Sequence, residues 1–194
     1  MEAAWEAGYT HVTHLYSGMS SLHRRNAYRY VGVVESAYLI DGMTVEIIAD
    51  GKHLPAELLK FVYKFKRPER TALVTDSMRG TGLPDDPSML GHYEHGLSVS
   101  IEDDVAELPD RTSFAGSMAT FDRLMRNMLR MSRAPLADVI TMAARTPARI
   151  MGFADRGDIA PGMRADLTFF DEDIRASRTM VAGRTVYQKG DGEA

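Results

Sequence analysis

Three polar residues, His14, Asp50 and Asp76, each stand at the end of a β-branched, apolar run: "THVTH", "VEIIAD" and "ALVTD". One imidazole and two carboxylates in such places suit hydrolysis. Neutral imidazole binds Zn²⁺ and similar ions. A carboxylate beside an activated water can take its proton and hand it to a leaving group. Each residue also has a plainer reading. A histidine after a strand is as readily a satisfied structural group, and an aspartate there often caps the next loop or helix. Three such residues after three successive strands favour a shared site. His53, in "ADGKH", could reach the same pocket from its loop. Arg25, in "HRRN", is a fork-shaped donor for phosphate or carboxylate, or else a solvated surface charge. "FAGS", Phe114 to Ser117, reads as a small-residue turn before a helix, where backbone N–H groups can hold an anion or sugar oxygens. His11 reads as structural, and His23, His92 and His95 as exposed loop residues.

The elements that must position these side chains follow from periodicity. "YTHVTHLY", "MTVEIIAD" and "RTALVTD" read as strands, the last two apolar enough to be covered on both faces. "MEAAWEAG" reads as a short helix closed by Gly8, and "VGVVESAYLID" as another short helix. "LPAELLKFVYKFK" places Leu58, Leu59, Phe61, Val62 and Phe65 at amphipathic helical spacing. Strands alternating with helices predict a parallel sheet of βα units, whose functional residues gather at the carboxyl ends of the strands. "SGMSSLHRRNAYRY" reads as loop. Ser77 to Ser113 reads as a long excursion, with a pair of strands in "GLSVSIE" and "DVAELPD". Three helices follow: "SMATFDRLMRNMLRMS", then "PLADVITMAART" with Pro135 at its start, then a short "TPARIMG" capped by Thr146. The tail reads as three short strands, with a hairpin turn at Gly183.

Bulk composition narrows the class. The 194 residues suffice for one good core, or a domain with a small appendage. A formal charge of −4 leaves no basic footprint for nucleic acid. The absence of cysteine excludes disulfides and thiolate metal sites and fits a cytoplasmic protein. No apolar run nears the roughly 18 residues of a membrane span, and "MEAAWEAG" lacks the pattern of a signal peptide. The 13 methionines read as soft core filler.

Taken in order, "THVTHLYSGM", "EIIADGKH", "ALVTDSM", "FAGSMATFDRLMRN", "TPARIMG" and "GDIAPGMRADLTFFD" resemble the N-acetylglucosamine-6-phosphate deacetylases of the amidohydrolase superfamily. They cover nearly the whole chain. The resemblance implies an α/β fold: the last three βα units of a metal-dependent (β/α)₈ barrel over residues 1–154, and strands of a small β-sandwich domain over 155–194. It implies hydrolysis of the N-acetyl amide of N-acetylglucosamine 6-phosphate to glucosamine 6-phosphate and acetate. In that reading His14 looks like a metal ligand, for Zn or Fe, and Asp76 like the general base and acid. Asp50, Gly51, Lys52 and His53 look like a substrate loop, with His53 on the sugar. Ser17 and Gly18 look like phosphate-side contacts, and Arg25 like a phosphate clamp that in the family can reach the neighbouring subunit of a homodimer. Phe114, Ala115 and Gly116 match a substrate-lining segment. Ser17 departs from the asparagine usual in the family, which leaves room for another amidohydrolase activity on a related N-acyl sugar or a cyclic amide.

The family's other metal ligands, a glutamate and a second histidine, belong to strands that precede the equivalent of Thr10. The expectation is that this chain is the carboxyl-terminal portion of a longer protein, through partial survival or a shortened gene. Completion by a second polypeptide is the other route. Alone it is expected to hold metal poorly and to be inactive, a folded fragment or an interaction module.

Overall fold

The computed structural model describes residues 1–83, 89–92 and 94–190. After a short helix, α1 (Glu2–Glu6), strand β1 (His11–Val12) enters a parallel sheet. A two-stranded hairpin follows, β2 (His23–Arg25) with β3 (Tyr28–Tyr30), then α2 (Val33–Leu39), β4 (Thr44–Ile47), α3 (Ala56–Lys66) and β5 (Thr71–Leu73). β1, β4 and β5 are neighbours in that order, both pairs parallel, with Val12 opposite Val45 and Ile47 opposite Leu73. The predicted βα pattern is therefore present.

Alternation sorts the two faces. Val45 and Ile47 are fully buried, and with Val12 and Leu73 they form one core with Leu59 and Val62 of α3. The helix α4 (Phe121–Asn127) adds Leu124 to it. The opposite face is polar: His11, Thr13, Thr44 and Glu46 lie across β1 and β4 and bond to one another. The amphipathic spacing in α3 reports this geometry only in part: Leu59 and Val62 face the sheet, while Phe61 and Phe65 of the same apolar set stay exposed.

The segment after β5 forms β6 (Met89–Leu90) with β7 (Leu97–Ser98), then a sheet of β8 (Ser100–Glu102), β9 (Val105–Glu107) and β10 (Phe114–Ser117). The expected strand pair is thus a hairpin, turned by Asp103 and Asp104 with φ of 51° and 61°. Two left-handed residues in a two-residue loop make the turn that matches strand twist. Part of the predicted excursion, 84–88 and 93, lies outside the described residues.

Three sequence expectations need correction. "SGMSSLHRRNAYRY" is not all loop: it holds the β2–β3 hairpin, in which every residue is exposed and no apolar alternation signals a strand. "FAGS" is strand β10, not a turn, because Phe114 and Ser117 pair with Glu107 and Val105 of β9. Thr146 does not start a new helix. Helix α5 (Leu136–Ile140) continues through a π-helical stretch at Thr141–Arg145 into α6 (Thr146–Ile150). The Thr146 hydroxyl, freed from capping, donates to the Pro68 carbonyl at 2.7 Å in the core. A similar π stretch, Met128–Ser132, extends α4. The tail forms the three expected antiparallel strands, β11 (Leu167–Phe170), β12 (Ala176–Val181) and β13 (Arg184–Gln188), the last two joined at Ala182 and Gly183.

Candidate active site

His14, Asp50 and Asp76 leave the sheet at the carboxyl ends of β1, β4 and β5. Neighbouring strands are about 4.8 Å apart, so His14 and Asp76 start about 10 Å apart with the Asp50 loop between them. His14 and Asp76 both hold left-handed backbone, φ 29° and 46°. Such residues are uncommon outside glycine and concentrate at functional turns. The His14 carbonyl accepts the Ser17 N–H at 2.9 Å, closing a turn that carries Ser17, with Gly18 exposed beside it. The Glu46 carboxylate supports the turn from the polar face. The His11 ring beside it holds its carboxyl below the usual range despite burial, and the Thr13 hydroxyl and the His14 backbone N–H add to this. His11 keeps the structural role expected of it, with Nδ1 2.8 Å from the Thr44 hydroxyl.

Asp76 is exposed, and its side chain makes no hydrogen bond or ion pair among the described residues. Its backbone carbonyl accepts the Ser117 N–H at 2.8 Å, and Met78 N–H donates to the Ser117 carbonyl at the same distance. Strand β10 is thereby fastened beside Asp76. Gly116, at φ 117°, makes this possible: a Cβ there would sit 3.0 Å from the Asp76 carbonyl oxygen.

The Asp50 loop is held from three sides. Asn127 donates to the Ala49 carbonyl at 2.9 Å, and Arg123 reaches the Asp50 carbonyl at 3.4 Å. Lys52 pairs with Asp103, and Arg123 of α4 with Asp104 at 3.2 Å, so the β8–β9 turn meets the loop directly through one carboxylate and holds its Arg123 brace through the other. The Phe114 ring meets the His53 ring edge-on, with centroids 4.9 Å apart. Asp50 is 1% exposed and His53 Nδ1 lies 2.7 Å from its Oδ2. Burial pushes the Asp50 carboxyl up. The His53 ring and the N–H groups of Lys52 and His53 outweigh that and hold it below the usual range.

His14, Asp50 to His53, Asp76 and Phe114 to Gly116 thus gather along one edge. Arg25 does not: it stands on the exposed β2–β3 hairpin, without an ion pair among the described residues. Arg123, Asn127, Asp103 and Asp104 were missed by sequence reasoning. Arg123, Asn127 and Met131 are spaced by four, a helical face that signals a common target. A cleft of about 1200 Å³ lies elsewhere between α5–α6 and the C-terminal strands, lined by Phe121, Pro147, Phe153 and Ile159 among others. It is mostly apolar and gathers none of the residues above.

Among the described residues no three His, Asp or Glu groups converge as a metal cage. His14 Nδ1, however, is buried without a hydrogen-bond partner, as a nitrogen reserved for another electron acceptor would be. His14 therefore fits as one donor of a set.

The family model described as "Amidohydrolase family" matches residues 71–187. The chain is a member of the amidohydrolase family. An N-acetylglucosamine-6-phosphate deacetylase of Bacillus subtilis (strain 168) is 33% identical over 186 residues, covering 95% of this amidohydrolase chain and 44% of the relative. An N-acetylgalactosamine-6-phosphate deacetylase of Escherichia coli O157:H7 is 30% identical, covering 94% of this chain and 46% of the relative. A Mycobacterium smegmatis N-acetyl-D-glucosamine-6-phosphate deacetylase, solved in complex with N-acetyl-D-glucosamine-6-phosphate, superimposes with TM-score 0.82 at 31% identity, covering 94% of this chain and 47% of that one. The amidohydrolase chain spans less than half the length of these proteins. The resemblance read from the motifs is confirmed, and so is an α/β fold of this kind.

Proposed function

We propose that this chain forms the carboxyl-terminal portion of a metal-dependent deacetylase acting on an N-acetylated amino-sugar phosphate, N-acetylglucosamine 6-phosphate first. The observation that carries the proposal is the convergence of His14, the Asp50–His53 loop and an exposed Asp76, without a side-chain partner among the described residues, on one edge of three adjacent parallel strands. In this reading β1, β4 and β5 are neighbouring strands of a (β/α)₈ barrel over residues 1–154, and 155–194 belong to a small β domain.

His14 would contribute one nitrogen to a divalent metal such as Zn or Fe, with the remaining donors outside this stretch of sequence. When bound, such a metal polarises a carbonyl and acidifies water. Asp76 takes a proton from the attacking water on a carboxylate oxygen. It returns that proton to the amine nitrogen as the C–N bond breaks, since an amine anion cannot leave at neutral pH. His53 binds the sugar, with Phe114 to Gly116 lining the same side. Ser17, Gly18 and Arg25 serve the phosphate, and Arg25, projecting on its hairpin, suits a partner subunit of a homodimer.

Acetate release by the protein that carries this chain is the test. Asp76→Asn is expected to lower it about 10²–10⁴-fold with metal content kept, the size of a lost general acid–base. Unchanged release would remove Asp76 from its role. Similarity to an N-acetylgalactosamine-6-phosphate deacetylase, at 30% identity, supports a second reading in which the preferred sugar is N-acetylgalactosamine 6-phosphate. Comparing kcat/KM for the two sugar phosphates decides between them.

A further inference from the structure

Asp50 spends its whole carboxylate inside its own loop. Oδ1 accepts the N–H groups of Lys52 and His53, at 2.8 and 2.9 Å, and Oδ2 meets His53 Nδ1 at 2.7 Å. The two side chains are 0% and 7% exposed. An ionised carboxylate can only accept, so Nδ1 must be the donor and must carry the ring proton. The ring is braced on another side by Phe114. The loop cannot drift either. Asn127, Arg123 and the Lys52–Asp103 pair tie it down, and Gly51 leaves Met131 so close that a Cβ would lie 3.3 Å from its sulfur. Among the described residues, the ring nitrogen of His53 left for a ligand is Nε2.

We propose that Asp50 is a positioning residue that keeps the proton of His53 on Nδ1 and so presents Nε2 to substrate. Asp50 touches no substrate itself; at 1% exposure it acts through the ring. The inference rests on the reading of His53 as a sugar contact, and it gives that contact a polarity. A neutral ring held this way accepts at Nε2, which suits a hydroxyl or N–H of an amino sugar rather than a phosphate oxygen. The logic is that of a buried aspartate fixing the tautomer of a working histidine.

The test is ring-nitrogen NMR on the chain labelled with ¹⁵N-histidine, where long-range proton–nitrogen correlations distinguish protonated from bare nitrogens. His53 is expected to show a protonated Nδ1. A bare Nδ1 with the proton on Nε2 overturns the proposal, and this measurement needs no variant. In Asp50→Asn the amide oxygen stays with the two backbone N–H groups and the NH₂ turns toward the ring as a donor. The proton is then expected to leave Nδ1 for Nε2. A folded Asp50→Asn that keeps its proton on Nδ1 also overturns the proposal, because an aspartate serving only the loop backbone would leave the tautomer untouched. Acetate release reads the deacetylase assignment independently of the tautomer, so the failure of either is seen apart from the other.

Discussion

Asp76 is placed at a cost. Its left-handed φ of 46° is unfavourable for a residue with a Cβ, and among the described residues its carboxylate has no bond that would offset this. Asp76→Gly is therefore expected to stabilise the fold by up to about 1 kcal/mol in urea unfolding while abolishing acetate release. A loss of stability instead would mean that the carboxylate supports the fold. The type and position of His14, Asp50 and Asp76 were legible because strand ends can be read from apolar runs. What each carboxylate does was not. Asp50 caps its loop, as the plainer reading had it, and also meets the His53 ring, a contact that sequence reasoning did not foresee. Those bonds are local, but the Asn127 and Arg123 bonds that hold the loop backbone in place come from more than 70 residues away, and no local pattern encodes them.

At the scale of elements, two ionisable groups fasten joints that the periodicity does not announce. Lys66 ends α3 buried, with Nζ 2.8 Å from the Ala37 carbonyl in the last turns of α2. Burial lowers it from 10.5 to about 8, helped by Arg70. A folded state that gives up the proton first gains stability as it does so. Chemical denaturation is thus expected to show stability rising from pH 8 toward 10.5, and Lys66→Met to remove that slope. Glu35 fastens the other joint. The Ser21 hydroxyl and the N–H groups of Gly32 and Leu22 hold it at about 2, down from 4.5, against slight desolvation. Its contribution is present above pH 4.5 and is lost as pH falls toward 2. Glu35→Gln is expected to speed hydrogen exchange at the Leu22 and Gly32 amides at neutral pH, leaving core amides unchanged. The β2–β3 hairpin that this joint supports was illegible in sequence. Its turn uses Asn26 and Ala27, both left-handed, where the recognisable signal is Asn-Gly.

For the whole molecule, the order of the parallel sheet and its covering helices could be read, because the core face leaves apolar residues in each strand and an apolar stripe on the helix; the second face of β4, expected to be covered, is instead polar. Leu59→Ala, removing a fully buried side chain between α3 and the sheet, is expected to cost about 2–5 kcal/mol in equilibrium unfolding. A cost under about 1 kcal/mol would mean that α3 is not part of the cooperative core. The π-helical stretches could not be read, since over five residues their apolar spacing is indistinguishable from an α-helix.

The widened turn at Met128–Ser132 also governs how the gene can drift in length. Arg123, Asn127 and Met131 keep one side of the helix against the Ala49–Gly51 backbone. Each residue of an α-helix turns the chain by about 100°. Losing one residue between Asn127 and Met131 would swing the rest of the helix away from that backbone, whereas exchanging a side chain would only trim the contact. Insertions and deletions among descendants of this sequence are therefore expected to avoid 121–132 and to collect in exposed turns such as 110–113, where no distant partner keeps count.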